Sequence, residues 1–284
     1  MQYRILGKTG LKVSAVGFGG IPIQRIDARG TRALMERLVE KGVNYIDTAR
    51  GYTVSESYLG EALSGGLREK FILATKSMSR GYADMARDIG ISLSNLRTDY
   101  IDLYQLHNIK SDADFELAFS AEGAVAAIQD AIRAGKVGHL GATAHSVDSF
   151  ERLLSYPEIE TIMFPYNIVE SQGEALMERA AAQNVGVIAM KPLAGGNITD
   201  GTLAMRYILQ NKTCTLAIPG MATLEEIEQN TAAAEQDGPL TPEELAACEA
   251  IRAGLSGNFC RRCGYCAPCT VGIDIPGIFT LENY

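Results

Sequence analysis

The chain has 284 residues, 46% of them hydrophobic and 21% charged, with a formal net charge of −8. That composition fits a globular protein with a sizeable core, built as one α/β barrel or as two small domains. The acidic balance, with no basic cluster longer than Arg261-Arg262, argues against nucleic-acid binding, and the lack of any run of 18 apolar residues argues against a membrane-spanning helix.

In chain order, "YRILGKTGLKVS" predicts a small β-hairpin around Gly7 and Gly10. Eight short apolar runs follow: 15–20, 44–49, 71–76, 99–107, 139–145, 161–167, 185–193 and 214–220. Continuous apolar runs of this length suit strands buried on both faces of a parallel sheet. Helical spacing separates them. Leu34, Leu38 and Val39 lie on one face ahead of Gly42; Tyr58, Leu59, Ala62 and Leu63 precede Gly65; Val125, Ile128 and Ile132 precede Gly135. Eight strands alternating with helices predict a (β/α)8 TIM barrel over residues 1–237. A doubly wound open sheet is the weaker fit, because "GFGGIP" is not the glycine pattern expected after its first strand. Residues 238–284 leave the rhythm, with one helix capped by Thr241 and then a cysteine-rich tail. The N-terminus shows no secretory pattern, so the expected location is the cytoplasm and the six cysteines read as thiols or metal ligands rather than disulfides.

Catalytic groups of a barrel sit at the C-terminal ends of its strands. Asp47 closes the second predicted strand, with Tyr52 in the loop behind it; Lys76 closes the third and His107 the fourth. Singly, each has an ordinary structural reading: a helix cap, a packed ring, a surface charge, a core histidine. Together at adjacent strand ends they describe a proton-donating site. A buried lysine requires a carboxylate partner, which Asp47 supplies. Its ammonium favours the phenolate of a neighbouring tyrosine, making Tyr52 a usable general acid, and a neutral His107 can orient a carbonyl oxygen. No side chain in the set supplies an electron pair, so a hydride donor such as a nicotinamide is required.

"DTARGYTVSESYLGEAL" and "SLSNLRTDYIDLYQLHN", with the lysine of "ILATK" and the "IPG" before Asn230, resemble the signatures of the aldo-keto reductase family across residues 1–236. The resemblance implies a (β/α)8 barrel and NAD(P)H-dependent reduction of a small-molecule aldehyde or ketone. It also implies Asp47, Tyr52, Lys76 and His107 as the catalytic tetrad. By the same resemblance Gly20 and Ile21 border the nicotinamide ribose, Leu193 and Gly195 the pyrophosphate, and Gln229 and Asn230 the adenine. Several positions depart from the family. Thr143 and Ala144 replace a Ser-Asn pair that holds the nicotinamide amide, Met163 replaces a glutamine, and Met190 replaces a stacking aromatic ring. Gly220 and Glu226 stand where a lysine and an arginine bind the 2′-phosphate of NADP; NADP(H) and NAD(H) both stay open, with Glu226 suited to ribose hydroxyls.

Cys260, Cys263, Cys266 and Cys269 form C-x2-C-x2-C-x2-C, close to the ferredoxin run but one residue shorter in its last gap. A branch of the family with ferredoxin-like cysteine motifs after its barrel looks similar. The expectation is one [4Fe–4S] cluster, with zinc or unligated thiols as alternatives, and a redox partner protein reached through the tail. Cys214 and Cys248 read as core residues. Two other functions fit parts of the pattern: a Schiff-base lyase using Lys76, and a non-catalytic cofactor-binding barrel that senses redox state through its cysteines.

Overall fold

The computed structural model describes residues 1–236, 238–255, 269 and 271–282; Cys260, Cys263 and Cys266 lie outside them. Strands β1 (Tyr3–Ile5) and β2 (Lys12–Ser14) pair antiparallel, which is the hairpin expected around Gly7 and Gly10. Eight parallel strands follow, each hydrogen-bonded to the next in chain order: β3 (Phe18–Gly19), β4 (Tyr45–Asp47), β5 (Ile72–Ser77), β6 (Ile101–Leu106), β7 (Val137–Thr143), β8 (Thr161–Pro165), β9 (Gly186–Met190) and β10 (Leu216–Ala217). Parallel bridges Val16–Ala217 and Gly19–Gly220 join the first and last of these segments, so the sheet curls back on itself. Both runs at this seam were expected to be longer strands. They are two residues each because single bridges, rather than a continuous ladder, carry the seam.

Helices α1 (Ala28–Glu40), α2 (Ser55–Ala62), α3 (Tyr82–Asn95), α4 (Asp112–Ala118), α5 (Ala124–Arg133), α6 (Val147–Leu153), α7 (Glu174–Ala182), α8 (Gly201–Gln210) and α9 (Leu224–Ala232) follow the strands one by one, except that α4 and α5 both lie between β6 and β7. The helix α10 (Pro242–Leu255) and the helix α11 (Ile275–Glu282) come after. Leu34 and Leu38 of α1 are buried against the sheet, and Gly42 ends the turn at φ 74°, a conformation that side chains with a Cβ resist. Thr241 and Glu244 cap α10 reciprocally, the Glu244 N–H donating to Thr241 Oγ1 at 3.2 Å. Cys248 on α10 shares a buried cluster with Ile168, Leu203 and Ala204, and Cys214 is fully buried, as expected of core thiols. Among the described residues no helix is long and apolar enough to cross a membrane.

One apolar layer lies between the sheet and its helices; a second fills the barrel, with Leu6, Val13, Tyr45, Leu103, Ile188 and Leu216. The hairpin closes the barrel's N-terminal end: the Lys8 N–H donates to Asn184 O at 2.6 Å, and Leu6 packs into the interior. A ligand therefore reaches the interior from the opposite end, where the strands terminate.

Candidate active site

Strand register brings the four expected side chains to that open end. Asp47 pairs with Ala74 across β4 and β5, and Lys76 pairs with Gln105 across β5 and β6. Lys76 Nζ donates to Asp47 Oδ1 and, at 2.9 Å, to Thr48 O; Gln105 Nε2 donates to Asp47 Oδ2 at 3.0 Å. Asp47 and Lys76 are each only 2% exposed. The Lys76 ammonium lies 4.9 Å from the centroid of the Tyr52 ring, and the rings of Tyr52 and His107 meet edge to face at 6.0 Å and 88°. Asp47, Tyr52, Lys76 and His107 all line one cavity of about 820 Å³.

Burial opposes the charge on Lys76, but Asp47 and then Tyr52, by charge and by hydrogen bond, more than restore it, so the ammonium is held above its ordinary pKa. Burial pushes the Asp47 carboxyl above its ordinary range, and Lys76 and then Gln105 offset only part of that rise. The direction that governs this couple is the ionic one, since both Asp47 oxygens accept hydrogen bonds. His107 is pushed down to about 3, first by burial and then by the positive charges of Lys76 and Arg80. The imidazole is therefore neutral in the folded chain well below neutral pH, and its Nδ1 has no hydrogen-bond partner among the described residues.

That depression has a sign for stability. Between its ordinary value of 6.5 and about 3, His107 binds a proton in the unfolded chain and not in the folded one, so its contribution is lost as pH falls through that window. His107→Gln should lose less unfolding free energy than the parent between pH 7 and about 4.5, as measured by urea denaturation. An equal loss in both proteins would remove His107 as a source of acid lability.

The other expected residues divide into two groups. Gly20, Ile21, Thr143, Met163, Met190, Leu193, Gly195 and Gly220 line the same cavity as the tetrad. The Gly20 N–H donates to Asp47 O at 2.8 Å, and Gly195 takes φ 72° in a turn after β9. The Thr143 hydroxyl accepts the Asn108 N–H at 2.7 Å, which ties the loop carrying His107 to β7. Gln229 and Asn230 are not among the lining residues: Gln229 is exposed on α9, and Asn230 is buried with Oδ1 lacking a partner among the described residues. Glu226 also lines the cavity, but its Oε2 accepts the N–H groups of Ala222 at 2.6 Å and Thr223 at 3.0 Å in a capping box at the start of α9.

Several lining residues were not anticipated. His145 and Lys191 follow β7 and β9, and Arg25 and Lys110 stand on loops after β3 and β6. The strand-end rule that marks His107 also marks His145 and Lys191. Thr53, Asn108, Lys191 and Ala194 all take positive φ beside the cavity, a strained conformation for residues with a Cβ that gathers at functional loops. Asp274 and Gly277, at and just inside α11, reach the cavity from the tail.

Of the four cysteines in the tail run, only Cys269 is among the described residues. Backbone N–H groups of Val271 and Ile273 hydrogen-bond its sulfur and hold the thiol below its ordinary pKa. Among the described residues no group of three or more His, Cys, Asp or Glu side chains is placed to hold a metal ion.

Residues 15–202 match the model of the aldo/keto reductase family. The chain is 28% identical over 306 aligned positions to L-galactose dehydrogenase of Arabidopsis thaliana, covering 88% of this chain and 94% of that one. It is 26% identical over 229 positions to aldo-keto reductase YhdN of Bacillus subtilis, covering 74% and 67% of the two chains. Among solved structures, the holo form of aldo-keto reductase AKR11C1 from Bacillus halodurans superposes with a TM-score of 0.77 at 26% identity, over 88% of this chain and 96% of that one. With the barrel, the strand-end constellation and the matched segment all in agreement, this chain belongs to the aldo/keto reductase family.

Proposed function

We propose that the protein reduces a small-molecule aldehyde or ketone with a dihydronicotinamide cofactor, Tyr52 giving the proton to the carbonyl oxygen. The observation that carries this reading is the buried Lys76–Asp47 couple set beside the Tyr52 ring. Electrostatic coupling is mutual: the phenol helps to hold the charge on Lys76, and that charge in return favours loss of the phenolic proton. Neutral His107, edge-on to Tyr52, is suited to hydrogen-bond the same carbonyl oxygen and keep it near the phenol. A nicotinamide, when bound, supplies the hydride. Met163 and Met190 would face its ring, packing as polarizable apolar surface, Gly20 and Ile21 would border its ribose, and Leu193 and Gly195 would take its phosphates. One relative is a dehydrogenase, and the same groups serve the reverse direction, with Tyr52 as base. The test is loss of dihydronicotinamide absorbance across a panel of aldehydes and ketones; cofactor binding without turnover on any of them would overturn the reading and favour the sensing alternative.

Lys76 as a Schiff-base nucleophile has no support. Imine formation needs a neutral amine, activated by a lowered pKa. Lys76 is instead held as an ammonium by Asp47 and Thr48.

The cofactor end of the cavity favours NADH. The Glu226 carboxylate already takes the N–H groups of Ala222 and Thr223 at the α9 terminus, where an added phosphate would seek those donors. A 2′-phosphate there would meet a fixed negative charge, and such like-charge contacts are costly. NADH should bind the parent about tenfold or more tightly than NADPH, as read by fluorescence titration, and Glu226→Gln should narrow the gap. Tighter NADPH binding by the parent would reverse the assignment.

A further inference from the structure

We infer that Gln105 is a positioning residue for proton donation: its side-chain amide fixes the rotation of the Asp47 carboxylate, committing one oxygen to Lys76 and keeping the ammonium beside Tyr52. The inference rests on the carbonyl-reduction reading of the site and adds a residue to it.

Gln105 is fully buried on β6, directly across from Lys76 in register. The two oxygens of Asp47 are divided between neighbouring strands: Lys76 takes Oδ1 and Gln105 takes Oδ2. A carboxylate held at one oxygen can swing about its last bond; held at both it cannot. The direction of the amide follows from chemistry, because only its NH2 can face a carboxylate without repulsion. Space for the side chain comes from Gly141 on the next strand, where an added Cβ would lie 3.1 Å from Gln105 Cγ and 2.2 Å from Thr161 Oγ1. The arrangement is poor for stability. Gln105 Oε1 and Thr161 Oγ1 are both buried without a hydrogen-bond partner among the described residues, and an unpartnered buried amide oxygen costs free energy that a leucine of similar size would not. A side chain chosen as filler would be apolar; this one spends its single interior donor contact on the carboxylate of the tetrad.

The titratable groups acting on this carboxylate are Lys76 from β5 and Tyr45 two residues earlier on β4; Tyr52 from the loop after β4 and His107 just past the end of β6 act on the Lys76 ammonium, and Arg80 acts on His107. The test compares kcat and cofactor affinity for the parent, Gln105→Leu and Gln105→Glu across about pH 5 to 9, with thermal unfolding to confirm folding. Gln105→Leu should lower kcat about 10- to 100-fold at every pH, leaving dinucleotide affinity within about twofold. Gln105→Glu should work near the parent rate at acid pH, where its protonated carboxyl donates to Asp47 Oδ2. It should fail as pH rises and two carboxylates face each other. Parent rates and parent pH profile in both variants would overturn the role, as would equal losses in both at every pH. If the leucine variant does not fold, the glutamate variant decides alone. A parent that turns over no carbonyl sinks the reduction reading and this role together; an active parent with indifferent variants sinks this role only.

Discussion

Tyr52→Phe is expected to lower carbonyl reduction by about 10³-fold while leaving dinucleotide affinity within about twofold. The change removes one oxygen and keeps the ring. The edge contact with His107 and the ammonium over the ring face therefore survive, and the fold should too. Without the phenol, the developing alkoxide has neutral His107 as its neighbour, and an imidazole pushed down to about 3 holds no second proton to give near neutrality. Buried Lys76 is a poor substitute: Asp47 and Thr48 take two of its ammonium hydrogens, and Asp47 holds the group above its ordinary pKa, so it gives up a proton reluctantly. The loss should therefore fall on kcat and, correspondingly, on kcat/KM, the signature of an interaction made in the transition state. Stopped-flow binding beside steady-state turnover separates the two effects. Turnover within about tenfold of the parent would remove Tyr52 as the proton donor.

The barrel was legible because its strands announce themselves as apolar runs at even spacing, and the convergence of Asp47, Tyr52, Lys76 and His107 on one cavity because barrels place polar strand-end groups together. The same rule, applied evenly, reaches His145 and Lys191, which line the cavity. Gln105 was also within reach: it shares the inward face of β6 with Leu103, two residues away, in the period-2 pattern of a strand. Glu226 shows how a residue can be noticed for one property and missed for another. "TLEE" is a capping box in plain sight, which directs the carboxylate to the α9 backbone before any ligand is considered. The short seam strands were not legible, since apolar residues extend beyond the few that pair. Nor was the absence of Gln229 and Asn230 from the cavity lining, which depends on how α9 seats against α8.

The second large effect expected is on stability, from breaking the couple beneath Tyr52. Lys76→Met leaves Asp47 buried with Gln105 as its remaining donor, and Asp47→Asn leaves an ammonium buried against Thr48 O and the Tyr52 ring. Each single change should cost about 3–5 kcal/mol, because the surviving charge is left largely uncompensated on a side chain that is almost wholly buried. Replacing both, as in Asp47→Leu with Lys76→Met, removes the stranded charge along with its partner. That double variant should be more stable than the sum of the singles and can approach the parent, as buried ion pairs often do when exchanged for apolar groups of similar volume. Urea unfolding of the four proteins measures the coupling directly. Singles costing under about 1 kcal/mol would mean that water reaches the pair and that its charges are screened. If instead the double variant is stable and inert, the couple is there for its effect on Tyr52. An apolar barrel interior would hold the fold at least as well, so what the charges supply is an ammonium that cannot leave, fixed against the phenol that gives up its proton in the proposed reduction.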